Sequence, residues 1–164
     1  MFTIPTRSLV AALVLAAAAA PAVASETVVH EVEVTADMEA LQNAQAAARW
    51  TDLADDLENA IVARLVGRTG DEGANIFVDI DEIELANTLQ SATGVADSRL
   101  VGAVAVTHDT DTSKYDNYEL AVTFDQAGPF FLPETDLTAI TTDSDEYYTG
   151  MIAAFADHVV ENLK

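Results

Sequence analysis

Six oxygen-bearing side chains lie close together between two stretches that alternate apolar and polar residues. They are Asp109, Asp111, Ser113, Asp116, Asn117 and Glu119. Hard cations such as calcium take six to eight oxygen ligands, so a loop of this composition could hold one. Aligned with an EF-hand from Asp109, however, the segment has Lys114 in place of the required glycine and Leu120 in place of the required glutamate. The candidate metal ligands are therefore Asp109, Asp111, Asp116 and Glu119, and a polar hairpin loop explains the same residues.

Two further groups of titratable residues could carry chemistry. His108 adjoins Asp109 and Asp111, but a transition-metal site normally has two or more nitrogen or sulfur ligands. The densest carboxylate run is Asp79, Asp81, Glu82 and Glu84. Neighbouring carboxylates can act as an acid and a base when an apolar cleft separates their pKa values. The sequence shows no such cleft, and we interpret the run as the charged edge or outer face of a sheet.

Motifs for nucleophilic catalysis and phosphate binding are missing from the chain. It has no cysteine, and no serine lies in a Gly-x-Ser-x-Gly motif. The glycine-rich segment from Gly67 to Gly73 contains Asp71 and Glu72 and lacks the lysine of a phosphate-binding loop. We interpret that segment as a turn. The sequence favours a non-enzymatic protein without a cofactor, calcium at the hairpin loop being the alternative.

Carboxylates dominate the charge. The chain has 28 Asp and Glu against 7 Lys and Arg, a formal net charge of −21. This charge repels phosphate backbones and anionic lipid surfaces, so nucleic acid is excluded as a partner. The acids are spread from Glu26 to Glu161 and are not clustered in one segment. This pattern is typical of a solvated surface and less typical of cation binding.

Residues 1–24 have the pattern of a secretory signal peptide. Arg7 precedes the apolar run Leu9–Ala20, and Ala22-Val23-Ala24 fits the small-x-small site of a signal peptidase. The run is too short for a transmembrane helix, which needs about 20 apolar residues. We predict cleavage between Ala24 and Ser25, which removes one base and no acid and changes the net charge to −22.

The mature chain is predicted to be periplasmic or secreted. It has no later apolar segment long enough to span a membrane, no cysteine for a lipid anchor, and no Asn-x-Ser/Thr glycosylation site. Residues 25–164 are enough for one ordinary hydrophobic core, so we predict a single acidic domain.

The first strand and helix follow from hydrophobic periodicity. Thr27–Val34 alternates as a strand that would place His30 on its apolar face. From Met38 the pattern is helical, and Gly67 is a natural end. One helix from Met38 to Leu65, or a second helix beginning at Thr51-Asp52, fits equally well. The apolar stripe is Trp50, Leu53, Leu57, Ile61 and Leu65.

Three more strands follow. Ile76–Leu85 alternates until its phase slips at Asp81 and Glu82, which predicts a β-bulge. Leu100–His108 and Tyr118–Phe124 alternate cleanly and predict a hairpin joined by the loop Asp109–Asn117.

An irregular connection, Asp125–Thr142, leads to a final helix with Asp143 and Glu146 as its capping pair. Its predicted stripe is Tyr148, Ile152, Phe155, Val159 and Leu163. The order β-α-β-β-β-α predicts an α+β two-layer sandwich, with about four mainly antiparallel strands and two helices on one face. The predicted core includes Val32, Trp50, Leu57, Ile61, Val104, Val106, Leu120, Val122, Phe155 and Val159.

A family resemblance rests on the strand Leu100–Val106, the strand Tyr118–Val122, and the closing helix with Ala154-Phe155-Ala156. In pattern and element order the chain resembles the small periplasmic α/β modules of uncharacterised Gram-negative envelope lipoproteins and transporter-accessory proteins. Those proteins are typically tethered through a lipidated cysteine, which this chain lacks. The resemblance implies binding or assembly of an envelope protein or small ligand and provides no catalytic residues.

Overall fold

Four strands and three helices make up the part of the chain that the computed structural model describes, residues 26–37, 50–84, 99–133, 135, 140 and 144–163. The strands are β1 (Val29–Ala36), β2 (Ala74–Glu84), β3 (Arg99–His108) and β4 (Asp116–Thr123). The helices are α1 (Leu53–Arg64), α2 (Phe124–Ala127) and α3 (Asp145–Glu161), with 3₁₀ turns at Thr112–Lys114 and Gly128–Phe130. The predicted α+β class is confirmed.

The sheet is mixed, with strand order β1-β2-β3-β4. β2 pairs with β3, and β3 with β4, in antiparallel register, which confirms the predicted hairpin. β1 pairs with β2 in parallel, so the mainly antiparallel prediction holds for two of the three pairings. The helix between β1 and β2 returns the chain to the same end of the sheet, and this crossover makes the pairing parallel.

One face of the sheet and the apolar faces of α1 and α3 enclose the core. The predicted stripe of α1, from Trp50 to Leu65, is fully buried, and Phe155 and Val159 of α3 are buried with it. Val32 and Leu120 are half-buried and pack against this cluster. From the sheet, the core contains Ile76, Val78, Ile80, Leu100, Val104, Val106 and Val122.

The helix that carries the Trp50 stripe does not extend back through Trp50. α1 starts at Leu53 after a turn at Thr51 and Asp52, and Trp50 itself is not helical. A helix running through Trp50 is thereby excluded, while residues 38–49 lie outside the described residues. Gly67, with φ of 79°, ends the turn after α1 in the left-handed conformation that glycine adopts without strain.

Two bulges set which side chains face the core. The register between β2 and β3 shifts between Ile80 and Glu82, confirming the bulge predicted from the phase slip. A second shift, between Val29 and Glu31 in β1, was not predicted. Because that bulge turns Val29 inward, His30 is exposed, and the prediction that His30 lies on the apolar face is wrong.

The last helix is capped by Ser144, whose Oγ accepts a hydrogen bond from the Tyr147 backbone N–H at 3.1 Å. The N-cap is therefore Ser144 and not the predicted Asp143, which itself lies outside the described residues. Tyr147 and Met151 are more deeply buried than Tyr148, and the buried stripe of α3 is therefore broader than predicted.

The connection after β4 is more regular than predicted. Thr123 and Gln126 form a capping box that begins α2, a helix of four residues, and the 3₁₀ turn at Gly128–Phe130 follows. The predicted β-α-β-β-β-α order thereby gains one short helix. Within the described residues, no helix has the length and apolar character to cross a membrane. Residues 1–25 lie outside the described residues, so cleavage after Ala24 stays a prediction.

Candidate functional site

The loop between β3 and β4 contains two of the predicted metal ligands. One carboxylate oxygen of Asp109 accepts a hydrogen bond from Asn75 Nδ2 at 3.0 Å. Asp111 Oδ1 accepts from the backbone N–H of Ser113 at 3.0 Å and from its hydroxyl at 2.6 Å. These hydrogen bonds hold the pKa of Asp111 below its ordinary value of 3.8. Asp111 thus caps the short 3₁₀ turn of the hairpin.

The other two predicted ligands lie on β4. Asp116 Oδ1 accepts a hydrogen bond from the Asn117 backbone N–H at 3.0 Å, whereas Glu119 is exposed and lies opposite Ala103 in the register. Among the residues that the structure describes, no three His, Asp or Glu side chains are grouped so that they could hold a metal ion. Calcium binding at these four carboxylates stays a prediction.

Two residues of the acidic run of β2 lie on an exposed surface. Asp79 and Asp81 are exposed, and Asp79 Oδ1 accepts a hydrogen bond from the Thr35 hydroxyl at 2.9 Å. The pairing of Thr35 with Asp79 in the parallel register brings these two side chains together. The side chains of Glu82 and Glu84 lie outside the described part. An exposed carboxylate of this kind lacks the apolar wall that separates the pKa values of an acid–base pair.

The three histidines lie on different elements and contact different partners. His30 Nδ1 lies 3.2 Å from the Gly70 carbonyl oxygen, and His108 Nδ1 accepts a weak hydrogen bond from the Thr110 backbone N–H at 3.4 Å. His158 Nδ1 lies 3.4 Å from Glu161 Oε2, one turn further along α3. Each histidine has a local structural partner.

Five aromatic residues of the described part form a cluster of ring contacts. Trp50 contacts Tyr148 edge-on, with ring centroids 5.1 Å apart, and Phe124 stacks on Tyr147 at 5.7 Å. Phe131 packs against Phe124 at 5.4 Å. Trp50 and Tyr147 of this cluster are buried and its other rings are half-buried, while Tyr115 in the hairpin loop is half-exposed.

Two shallow cavities, each of about 240 Å³, flank α3 at its opposite ends. The first lies beside Phe131 and Gly150, near the start of the helix. The second lies between the hairpin loop and the end of the helix, with Val106 and Leu163 giving it apolar walls. Its polar rim includes Ser113, Lys114 and Asn162. Both are smaller than the roughly 300–1,000 Å³ of typical ligand-binding pockets.

The sheet face opposite α1 and α3, here called the open face, is an exposed surface to which all four strands contribute. Two rows of paired residues cross its centre. One row is Glu33, Phe77, Ala105 and Asn117, and the next is Thr35, Asp79, Ala103 and Glu119. All but the half-buried Ala105 are exposed, and Phe77 retains 37% of its accessible surface.

Small residues lie at the centre of the open face, and acidic residues lie at its margins. Ala103 and Ala105 lie side by side along β3, and Ala121 is exposed on β4. Carboxylates flank them, Glu31, Glu33 and Asp79 on one side and Glu119 on the other. Because strands are about 4.8 Å apart, these carboxylates lie within a strip four strands wide. None of the side chains named in these rows is basic.

Sequence alternation contains part of the signal for this surface. The alternation of Thr27–Val34 predicts that Glu31 and Glu33 lie on the side of β1 opposite Val32 and Val34, and the acidic run of β2 predicts an edge or outer face. The position of Glu119 across β3 from Asp79 was not predicted, because it depends on the register of three strands. Val101, which alternates with Ala103 on the same face of β3, is buried without belonging to the core cluster, so the open face is not exposed along the whole of β3.

Comparisons with known proteins find solved structures of similar arrangement, and two of them are described below. A Xanthomonas campestris protein of the family DUF330 aligns with a TM-score of 0.45 and 10% sequence identity over 84% of each chain. A candidate lipoprotein from Caulobacter crescentus CB15 aligns with a TM-score of 0.34 and 15% identity, over 80% of this chain and 86% of that one. No family model and no curated protein matches the sequence. With TM-scores below 0.5, these two likenesses carry no part of the functional argument.

Proposed function

We propose that this protein is an exported, non-enzymatic binding module of the bacterial envelope, and that its open face receives a protein partner. The observation that carries the proposal is the exposed aromatic and alanine surface at the centre of a sheet whose other face is fully packed. Phe77, Ala103 and Ala121 are exposed on the open face. Apolar surface presented by several elements at once is a feature of interaction sites.

The parallel pairing of β1 and β2 supports a partner on this face. All-parallel sheets are almost always covered on both faces, and β1 with β2 is the parallel part of this mixed sheet. Here α1 and α3 cover one face, and Phe77 of β2 is exposed on the other. A partner element on the open face would complete the second layer.

Export follows from the sequence of residues 1–24 and has its own test. The protein is purified from the periplasmic fraction of its native host, and its first residues are sequenced. We expect the mature chain to begin at Ser25. An intact Met1 in the soluble fraction would contradict export.

Site-specific photo-crosslinking tests the binding surface. A photoreactive phenylalanine analogue is placed at Phe77 on the open face or at Val62 on the outer side of α1. Val62 is the matched control because it is also an exposed apolar residue, at 44% against 37% for Phe77. After irradiation of intact cells, we expect a discrete crosslinked product from position 77 and none from position 62.

The crosslinked protein is then identified by mass spectrometry and purified for binding measurements. Phe77→Lys should weaken its binding by about tenfold or more, as truncation of an interface anchor does, while Val62→Lys should leave it unchanged. The absence of a product at position 77, or equal losses for the two variants, would overturn the assignment of the open face.

A further inference from the structure

We infer that the partner presents a basic amphipathic helix to the open face. This inference rests on the proposed function and identifies the chemistry of the occupant. Its apolar stripe would lie on Ala103, Ala105 and Phe77, and its Lys or Arg side chains would reach the carboxylates on both margins.

The shape of the open face favours a helix. Ala103 and Ala105 at the centre of β3 are small, whereas the larger Phe77 and Asp79 lie beside them on β2, and Asn117 and Glu119 on β4. Two small side chains between larger ones form a shallow depression at the centre of the face. Helices pack on sheets in this way to form layered folds.

The carboxylates on the margins of the open face favour a positively charged occupant. Glu31, Glu33 and Asp79 lie on one margin, and Glu119 lies on the other. Thr35 donates to Asp79 and fixes that carboxylate on the surface. Lys and Arg side chains of a docked helix would pair with both margins, and complementary potentials also accelerate association.

Two other occupants are disfavoured by the same charges. A second copy of this chain would bring an equivalent set of carboxylates against the first, and like charges facing each other across an interface oppose association. An anionic membrane surface is repelled for the same reason.

The test uses the full mature chain and a defined probe. The probe is a synthetic peptide of about 18 residues, with leucines at helical spacing on one face and lysines elsewhere. A peptide of the same composition in scrambled order and one with glutamate in place of lysine are the control peptides. Binding is followed by the NMR signals of ¹³C-labelled alanine methyl groups, since Ala103 and Ala105 report directly on the open face.

A matched pair of triple variants separates the open face from the general acidity of the protein. The face variant is Glu33→Gln, Asp79→Asn and Glu119→Gln. The control variant is Asp55→Asn, Glu58→Gln and Glu161→Gln, which removes the same charge from α1 and α3 on the opposite side. Thermal unfolding checks that both remain folded.

We expect the amphipathic lysine peptide to shift the Ala103 and Ala105 methyl signals, and the control peptides to leave them in place. The face variant should bind the peptide at least about tenfold more weakly, and the control variant within about twofold of the parent. Equal losses in both variants, or shifts confined to other alanines, would overturn the inference. If the Phe77 crosslink forms but its partner segment carries no basic helix, the inference fails while the proposed function stands.

Discussion

The ring of Phe155 in α3 lies over Gly102, at the inward-facing centre of β3. A Cβ atom added at Gly102 would lie 3.3 Å from Cζ of Phe155, and only 2.8 Å from the backbone oxygen of Asp79. Phe155 is itself fully buried. The missing side chain at Gly102 therefore allows α3 to approach the sheet closely at this point.

Replacing Phe155 with alanine should remove the main contact between α3 and the centre of the sheet. We expect Phe155→Ala to lower the free energy of unfolding by about 3–5 kcal/mol, the usual cost of truncating a buried aromatic side chain. Urea unfolding followed by circular dichroism measures the loss. A melting temperature within one or two degrees of the parent, together with an unchanged m-value in urea, would contradict this packing.

Adding a methyl group at Gly102 should also destabilise the fold. The new Cβ would meet a backbone oxygen that cannot move without disturbing the pairing of β2 and β3, so Gly102→Ala should cost about 1–3 kcal/mol. Ala103→Ser is the control, because it adds one heavy atom at a neighbouring β3 position whose side chain is exposed. The control should stay within about 0.5 kcal/mol of the parent. Equal effects at the two positions would argue against the close approach.

Arg64 joins the two long helices. Its guanidinium donates to the Ala153 backbone oxygen at 2.9 Å and to Asp157 Oδ1 at 3.3 Å. Arg64→Met should lower the free energy of unfolding by about 1–2 kcal/mol, because a charged donor to a partly buried carbonyl is lost. Asp157→Asn should cost less than about 1 kcal/mol, as partly exposed ion pairs contribute little. The reverse ranking in urea unfolding would mean that the ion pair dominates.

Tyr148 should make the protein sensitive to alkali. Burial, together with the hydrogen bond that its hydroxyl donates to Asp56 Oδ2 at 2.7 Å, raises the pKa of Tyr148 above its ordinary value of 10.0. The folded state therefore keeps this proton when the unfolded chain has lost it. Its contribution to stability is complete below pH 10 and declines as the pH rises above that value.

The free energy of unfolding, measured at several values between about pH 8 and 11.5, checks this prediction. Burial raises the pKa of Tyr118 in the same direction, so two residues contribute to the slope. Tyr148→Phe should flatten the decline without abolishing it. An unchanged slope in that variant would show that other groups cause the alkaline loss.

Salt should stabilise the protein because 28 acidic residues repel one another in the folded state. Raising NaCl from about 0.01 to 0.15 M shortens the screening length from about 30 to 8 Å, and we expect a clear rise in melting temperature. Calcium chloride at equal ionic strength should act no more strongly. A larger rise with calcium alone, absent in the double variant Asp109→Asn and Asp111→Asn, would instead support cation binding at the hairpin loop.

The candidate site was only partly accessible from the sequence. Alternation places Glu31 and Glu33 on the outer side of β1, since that pattern is local to one strand. The depression at the centre of the open face depends on Ala103 lying between Asp79 and Glu119, and these residues come from three strands far apart in sequence. Register across non-adjacent segments is set by long-range packing, which periodicity does not report.

What the sequence determined by itself is local: the strands, the Trp50 stripe, the turn at Gly67 that follows α1 and the bulge at Asp81-Glu82. Each follows from periodicity or from the conformational preference of one residue. Only the tertiary structure decided the parallel pairing of β1 with β2, the exposure of His30 and the burial of Tyr147 in place of Tyr148. A helix turns about 100° per residue and a bulge inverts a strand's phase, so one residue's displacement changes which side chain faces the core. Packing against the other elements selects among those alternatives.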